Sequence, residues 1–426
     1  MSRTLDPAPP AAPATPNRPS PRVYRRRRIA VFGTLGAVVA SLVGGGAYAA
    51  TTLTAPVPEL APVVVDPVPT AAAAQAVAEP GFGTWAVGAV GFDGALAAGG
   101  ESTPVPMASI AKVVTALVIL EEHPIPAGEG GPGIAYTEAD IDLYWDMVAQ
   151  NGSVAPVAAG TTLSLRQSLE AMMLPSGNNY SISLAQWAFG SVEEYLERAR
   201  AWVAEHGLAD TVIADTSGLS LENTSTAADL VELGELALQD PTLAEIVATK
   251  QVDIPGLGTL ENSNRLLGTH GVDGIKTGTT DDAANLLFSA DVAVGSSSVT
   301  LVGVLLGGAN HAQVREGIAA MIDTIAPGFR EVVALEAGTE LATYETPWGD
   351  TAAARASEGA TVVVWSDTPV DVAVDAEIVT LATDGAPAGA AVVTAGTQRI
   401  EVPLEFDGTI DDPGAWWRLT NPGALD

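Results

Sequence analysis

A stretch without charged residues, positions 29–53, follows directly on a cluster of arginines and restricts what the first part of the chain can form. Its 25 residues are enough to cross the hydrocarbon core of a bilayer as a helix. Seven arginines and one acidic residue, Asp6, precede it in residues 1–28, and such a positive flank stays on the cytoplasmic side. We therefore expect a cytoplasmic tail over residues 1–28, a transmembrane segment over 29–53, and export of everything that follows.

The same stretch is open to a second interpretation. Ala47-Tyr48-Ala49 is an A-x-A pattern that a signal peptidase could cleave, which would release a secreted protein. The uncharged stretch is longer than a typical signal core, so we favour a retained single-pass anchor. Residues 54–80 are rich in proline and alanine and predict a semi-extended linker that holds a domain away from the membrane.

Residues 81–330 show strand patterns at both ends and helix patterns in between. Two short strands flank the Asp93-Gly94 turn, helical periodicity dominates residues 165–238, and two further strands and a helix follow over residues 284–325. The strands at the two ends must meet to build one sheet. This order predicts an α+β domain, an antiparallel sheet flanked by helices with an inserted helical lobe. Residues 331–426 consist of short valine-rich runs between turns and predict a small all-β domain.

Composition excludes several kinds of site. The chain has no cysteine, which rules out disulfides, thiolate metal ligands and a cysteine nucleophile. A formal net charge of −32 argues against nucleic-acid binding. No nucleotide or flavin motif is present, and we expect neither a metal nor a cofactor. The four histidines are far apart in sequence, so each is interpreted as an ordinary surface or packing residue: His123, His206, His270 and His311.

The chain has only three lysines, and the first lies in Ser109-Ile110-Ala111-Lys112. A spacing of three puts the hydroxyl and the amine on one helical face, where the amine can take the proton of the serine. An N-capping serine followed by a solvated lysine is the alternative. However, residues 113–119 are almost entirely apolar, which predicts a buried helix and makes a lysine at its start costly unless it is used.

Two further short motifs could supply polar groups. Ser176-Gly177-Asn178 follows Pro175 and is either an ordinary turn or a hydroxyl and an amide for proton relay and hydrogen bonding. Lys276-Thr277-Gly278-Thr279 enters the second strand region and is either a loop before a hairpin or a strand edge that binds a peptide carboxylate.

Each motif has an ordinary alternative by itself, but the three occur once each and in the order of the signature set of β-lactamases and penicillin-binding proteins. Residues 81–330 resemble the low-molecular-mass D-Ala-D-Ala carboxypeptidases more closely. The resemblance is carried by residues 106–109, by Met173 to Asn179 with glycine in the middle of the second motif, by residues 215–219 and by residues 271–279. It implies a β-lactamase/transpeptidase-like fold and peptidoglycan stem peptides and β-lactams as partners.

The resemblance also implies a role for each motif residue. Ser109 would be acylated by the penultimate D-Ala of a stem pentapeptide, with Lys112 as general base and Ser176 and Asn178 as proton relay. Backbone N–H groups of Ser109 and Thr279 would form the oxyanion hole. The terminal carboxylate would be bound by Lys276, Thr277, Gly278, Thr279 and Arg315. To act as a base, Lys112 needs a pKa about three units below its ordinary value, and burial and the charge of Lys276 would both lower it.

The sequence departs from the family at Ala111, where threonine is common, and it has no match to the C-terminal amphipathic membrane helix of several relatives. We therefore expect the N-terminal segment to serve as the anchor. Three alternatives stay open: a secreted β-lactamase, a D,D-endopeptidase and a non-catalytic peptidoglycan-binding protein. The sequence leaves the preference between carboxypeptidase and endopeptidase, and the oligomeric state, undecided.

Overall fold

The computed structural model describes residues 20–65, 72–126 and 128–425. Most of the expected cytoplasmic tail, residues 1–19, and part of the expected linker, residues 66–71, lie outside this range. The first element is helix α1 (Pro21–Thr54), which begins with a proline at its first position and ends just before Ala55-Pro56. Among the described helices it is the one that is long and apolar enough to cross a membrane, a property that signal sequences share.

The domain that follows is built in the order that the sequence predicts. After a short strand, β1 (Val63–Val64), come three strands, β2 (Thr84–Ala89), β3 (Ala95–Gly99) and β4 (Val105–Pro106). A single turn of 3₁₀ helix (Ala108–Ile110) then leads into α2 (Ala111–Glu122). The helical lobe consists of β5 (Gly133–Ala135), α3 (Glu138–Ala149), β6 (Thr162–Ser164), α4 (Leu165–Met173), α5 (Asn178–Phe189), α6 (Val192–Glu205), β7 (Thr224–Ser225), α7 (Ala227–Gln239), α8 (Pro241–Ala248), β8 (Gln251–Ile254) and β9 (Gly258–Glu261).

The domain closes with three long strands and a helix: β10 (Val272–Thr279), β11 (Ala284–Val294), β12 (Ser297–Gly308) and α9 (His311–Ile325). One antiparallel sheet has the strand order β10-β11-β12-β2-β3. Leu306 lies opposite Thr84 in the pairing of β12 with β2. The strands before and after the helical lobe therefore meet in one sheet, as predicted, and β10 is left at an edge of the sheet.

Local sequence explains where several helices begin. At the start of α4 the side chain of Ser164 accepts a hydrogen bond from the backbone N–H of Gln167. In return, the side chain of Gln167 accepts one from the backbone N–H of Ser164. The side chain of Asn310 accepts one from the backbone of Gln313 at the start of α9. These caps satisfy backbone donors that the first turn of a helix leaves without partners.

Apolar packing fixes α2 in the middle of the domain. Every residue of α2 from Ala111 to Leu120 is buried, including Lys112. Around α2, α4 to α7 complete one layer, and α9 covers the opposite face of the sheet with side chains such as Ile318 and Met321. Each fully buried valine, leucine or isoleucine contributes about 1.5–3 kcal/mol. The helix that follows Ser109 is thus enclosed by the helices of the lobe, and the 3₁₀ turn before it contacts β10 at the edge of the sheet.

The C-terminal domain is all-β apart from one short α-helix and a 3₁₀ turn (Pro422–Ala424) at its end, in agreement with the prediction. A six-stranded sheet has the order β1-β14-β15-β19-β18-β17, and β13 pairs with β16. The elements are β13 (Phe329–Leu335), β14 (Glu340–Glu345), β15 (Thr351–Ala356), β16 (Ala360–Trp365), β17 (Asp371–Ala376), β18 (Pro387–Ala395), β19 (Gln398–Asp407) and α10 (Gly414–Thr420).

Part of the expected linker is built into this sheet. Strand β1 pairs with β14, and Leu60 is buried and bridges to Val379. Beyond the undescribed residues, the backbone N–H of Gln75 donates to Ser366 Oγ at 2.8 Å, and its side-chain amide donates to the carbonyl of Thr324 at 2.9 Å. Residues 55–65 therefore run along the C-terminal domain instead of forming a free spacer.

Candidate active site

Ser109 lies in the middle of the 3₁₀ turn, two residues before α2, and its Oγ atom is 3.0 Å from Nζ of Lys112. The preceding residue, Ala108, has a φ of +52°, in the left-handed region that non-glycine residues rarely adopt. Strain of this kind persists only where surrounding structure enforces it. The turn therefore aims the hydroxyl of Ser109 at the amine one helical turn further on.

The amine of Lys112 has two other polar neighbours. It donates to Oδ1 of Asn178 at 2.6 Å and to the backbone carbonyl of Ser217 at 2.8 Å. Both neighbouring atoms are acceptors, so they engage two N–H groups of the amine. In the neutral amine the remaining position is a lone pair, and Ser109 Oγ occupies that side. This arrangement suits an amine that accepts the proton of Ser109.

Burial is the main cause that lowers the pKa of Lys112 well below its ordinary value of 10.5. The positive charge of Lys276 adds to this, and the negative charge of Asp215 opposes it by raising the pKa. The alternative of a solvated lysine is excluded for the described structure, because Lys112 is 0% exposed. Both causes expected from the sequence, burial and the charge of Lys276, act on this amine.

The loop after α6 contains residues 215–219, which resemble the family but have no role predicted from the sequence. The carboxylate of Asp215 accepts backbone N–H groups of Ser217, Gly218 and Ser220 at 2.6–2.7 Å. These hydrogen bonds shape the loop so that the backbone carbonyl of Ser217 reaches Lys112. A Cβ on Gly218, whose φ is +80°, would lie 1.9 Å from the carbonyl oxygen of Ala108, so only glycine permits this approach.

Two further motif residues are near Lys112 by different criteria: Ser176 is two residues before Asn178, which contacts Lys112, and the charge of Lys276 acts on Lys112. Among the described residues, Ser176 Oγ and Lys276 Nζ are buried and have no hydrogen-bond partner. Ser176 has a φ of +65°, and Lys276 is 2% exposed. Burial lowers the pKa of Lys276 to about 7. Because buried polar groups normally have partners, these two groups are suited to a ligand that supplies acceptors.

Strand β10 lies close to the turn that carries Ser109. A Cβ on Gly278 would lie 2.7 Å from the carbonyl oxygen of Met107, so glycine is needed for this contact. The hydroxyl of Thr277 is 2.6 Å from Oγ of Ser263. These contacts bring the third motif beside the first, with the free edge of β10 available for an extended peptide.

Thr279 contacts His311, a residue outside the three motifs. Its Oγ1 atom is 2.8 Å from Nε2 of His311, at the start of α9. Burial, followed by the charges of Arg315 and Lys276, lowers the pKa of His311 below 6.5. His311, which the sequence predicts to be an ordinary surface or packing residue, thus contacts a residue of the third motif. No local pattern could have revealed it, since 32 residues separate the two side chains.

Arg315 is half-buried on α9, one helical turn after His311. It takes part in none of the ion pairs found among the described residues. Together with Lys276 it contributes positive charge beside the end of β10. The structure thus brings all nine residues singled out by the sequence to one region, with Arg315 at its edge.

Comparison with known proteins agrees with this geometry. Residues 93–309 match the family described as D-alanyl-D-alanine carboxypeptidase. A D-alanyl-D-alanine endopeptidase of Pseudomonas aeruginosa is 31% identical over 191 residues, 43% of this chain and 58% of that protein. The D-alanyl-D-alanine carboxypeptidase DacA of Escherichia coli K12 is 28% identical over 256 residues, 57% of this chain and 60% of the relative. The chain thus spans less than two thirds of the length of these relatives.

A solved structure agrees at the level of the fold. The D-alanyl-D-alanine carboxypeptidase DacD of Francisella tularensis superposes with a TM-score of 0.55 at 19% identity, covering 79% of this chain and 96% of that one. The mixed fold with a C-terminal β domain, expected from the sequence, is therefore confirmed. Since the family match covers half of the chain and includes the residues around Ser109, the protein belongs to the D-alanyl-D-alanine carboxypeptidase family.

Proposed function

We propose that the protein is a serine-type D-Ala-D-Ala carboxypeptidase that removes the terminal D-Ala from peptidoglycan stem pentapeptides and is acylated by penicillins. The observation that carries the proposal is the buried amine of Lys112, which is bound by two acceptors and lies 3.0 Å from Ser109 Oγ. A serine hydroxyl needs such a base to become a nucleophile. Family membership supports the choice of substrate.

In the proposed acylation, Ser109 Oγ attacks the carbonyl carbon of the penultimate D-Ala while its proton passes to Lys112. The oxyanion that forms is held by the backbone N–H groups of Ser109 and Thr279. The C–N bond then breaks, and the nitrogen of the leaving D-Ala takes a proton from Lys112 through Ser176. This leaves an ester on Ser109 and a free D-Ala.

In the proposed deacylation, water attacks the ester carbonyl and gives up its proton to Lys112. The C–O bond to Ser109 breaks, and Ser109 Oγ takes the proton back. The hydrolysed tetrapeptide leaves. A β-lactam would follow the first half of this sequence, with the amide of its ring in place of the peptide bond.

The free edge of β10 and the positive groups near its end support the proposed carboxylate site. A peptide that pairs antiparallel with β10 has its C-terminus toward Lys276 and Thr277. The positive charge of Lys276 and the hydroxyls of Thr277 and Thr279 suit a terminal carboxylate. Arg315 would add a more distant charge.

A D,D-endopeptidase is the second candidate, and the match to the endopeptidase of Pseudomonas aeruginosa favours its consideration. A β-lactamase that uses a glutamate to deacylate is less well supported. Among the described residues, none of the hydrogen bonds of Ser109, Lys112 and Asn178 involves a carboxylate. A non-catalytic binding protein would have no need of a buried, partnered lysine beside a serine.

We further propose that α1 is retained as a single-pass anchor with the catalytic domain on the extracytoplasmic side. The arginines before its apolar stretch support this orientation. The hydrogen bond from Tyr48 to the carbonyl of Leu419 supports retention, because cleavage near Ala49 would remove Tyr48 from the protein. The test is a reporter that is active only in the cytoplasm, fused after Asp426. If this fusion were active, the proposed orientation would be contradicted.

Two measurements test the proposed activity. Fluorescent penicillin should label the wild-type chain with one adduct at Ser109 and should not label Ser109→Ala. The control is Lys250→Ala, which changes the exposed lysine outside the motifs and should be labelled normally. Mass spectrometry of products from a pentapeptide and from a cross-linked dimer of stem peptides then separates carboxypeptidase from endopeptidase. An adduct on another residue, or cleavage of neither substrate, would refute the proposal.

A further inference from the structure

The last helix of the chain is docked on the outer end of α1. The hydroxyl of Tyr48 donates to the carbonyl of Leu419 at 2.7 Å. Arg418 is 8% exposed, donates to the carbonyl of Ala55, and forms a two-pronged ion pair with Asp412. A buried, bidentate arginine is an ordered contact. Helix α10 and the end of α1 therefore form one packed unit.

The position of this unit along α1 can be compared with the thickness of a bilayer. The arginine cluster ends at Arg28, and Tyr48 follows 20 residues later. At 1.5 Å per residue this is about 30 Å of helix, the thickness of the hydrocarbon core. If Arg28 marks the inner boundary, then Tyr48 and the end of α10 that it contacts lie at the outer boundary, where headgroups begin.

Aromatic side chains are concentrated at this level. Trp417 packs edge-to-face against Trp348 with ring centroids 5.4 Å apart. Its neighbour Trp416 is 79% exposed, the most exposed large hydrophobic side chain in the described residues. Tryptophan and tyrosine favour the membrane interface, because one part of the ring system is apolar and the other can hydrogen-bond.

We propose that α10 is a membrane-interface contact, in which Trp416 inserts among phospholipid headgroups beside α1 and holds the C-terminal domain on the bilayer surface. The proposal rests on the retention of α1 as an anchor. It also fits the course of residues 55–65, which pair with the C-terminal sheet and leave no free tether after α1.

Charge indicates which lipid feature is recognised. Asp411 and Asp412 are exposed beside α10, and the chain as a whole is strongly acidic. Attraction to anionic headgroups therefore cannot drive the contact. We expect it to form on a zwitterionic phosphatidylcholine bilayer and to be insensitive to salt.

The absence of cysteine makes site-directed spin labelling direct. A nitroxide on Ala415→Cys would report on the surface beside Trp416, and one on Ala149→Cys is a matched control beside Trp145, which is 60% exposed on α3. A third label on Val38→Cys reports whether α1 is in lipid. With the full chain in phosphatidylcholine nanodiscs, the relaxation of each label by oxygen, which favours lipid, is compared with relaxation by a water-soluble nickel chelate.

We expect a severalfold higher oxygen-to-nickel ratio at Ala415→Cys than at Ala149→Cys, and a value below that of Val38→Cys. Adding Trp416→Ser should lower the ratio at position 415, whereas Trp145→Ser should not change it at position 149. Penicillin labelling of Ser109 in each variant checks that the chain is folded.

The outcomes separate this inference from the anchoring on which it rests. A water-like ratio at Val38→Cys would refute the anchor itself. Lipid contact at Val38→Cys with a water-like ratio at Ala415→Cys would overturn the interface contact alone. Low accessibility of the 415 label to both reagents would also overturn it, since that pattern indicates a protein partner in place of lipid.

Discussion

Nε2 of His311 lies 2.8 Å from Oγ1 of Thr279, so that the first residue of α9 contacts the last residue of β10. The contact joins a helix start to the strand proposed to bind the substrate carboxylate. Its removal tests whether the orientation of Thr279 matters for substrate binding.

His311→Leu should lower kcat/KM for a pentapeptide by about two- to tenfold, because one hydrogen bond is worth about 0.5–1.5 kcal/mol and each 1.36 kcal/mol is a factor of ten. His311→Gln, which can still hydrogen-bond, should recover part of the loss, chiefly in KM. His206→Leu, on a histidine outside the site, is the control. Equal losses in the leucine and glutamine variants would argue against a role through Thr279.

Lys276→Ala should reduce kcat/KM for a free-carboxylate peptide far more than for the same peptide blocked as an amide. A lost charge-assisted hydrogen bond costs about 1.5–3 kcal/mol, or roughly ten- to a hundredfold. Lys112→Ala should depress both substrates alike, because a missing base affects every substrate. Equal losses on both peptides in Lys276→Ala would replace the carboxylate role with one in proton relay.

The pKa of about 7 at Lys276 also predicts a pH dependence of binding. Its positive charge is lost as the pH rises through that value. KM for the free-carboxylate peptide should therefore rise between about pH 6 and pH 9, while KM for the amide stays flatter. Parallel curves for the two substrates would show that another group controls binding.

Asp215→Asn should slow penicillin acylation by about tenfold, because a neutral amide holds the loop that presents Ser217 to Lys112 less firmly. The charge of Asp215 raises the pKa of Lys112, so its removal should move the acid limb of the pH profile to lower pH. Asp253→Asn, on β8, is the control. If penicillin acylation were slower in Asp215→Asn but the pH profile did not move, the role of Asp215 would be purely structural.

Lys276→Met should raise the free energy of unfolding at neutral pH while lowering activity. The folded-state pKa of Lys276 lies below its unfolded value of 10.5, so the unfolded chain binds more protons and the lysine destabilises the fold below that value. The penalty is greatest, on the order of several kcal/mol, at and below pH 7 and vanishes above about pH 10.5. Urea unfolding of the wild type and of Lys276→Met should show a difference in free energy of unfolding that becomes smaller as pH rises. A difference that does not change with pH would contradict the lowered pKa of Lys276.

Sequence alone determined the order of elements and the identity of the motif residues. Strand β11 begins and helix α9 ends at the limits predicted for the last part of the domain, residues 284–325, because apolar periodicity and caps act over a few neighbouring positions. The spacing of Ser109 and Lys112 likewise required only a helix. The apolar stretch after the arginines was sufficient to identify α1 as a candidate membrane span.

Only the tertiary structure decided which groups surround those motifs. The carbonyl that accepts a hydrogen bond from Lys112 belongs to Ser217, 105 residues away in sequence. Tyr48 contacts Leu419 although 371 residues separate them. The contact between Thr279 and His311 and the docking of residues 55–65 on the C-terminal sheet are of the same kind. Such pairs leave no periodic trace in the sequence, since each depends on the packing of whole layers that brings distant segments together.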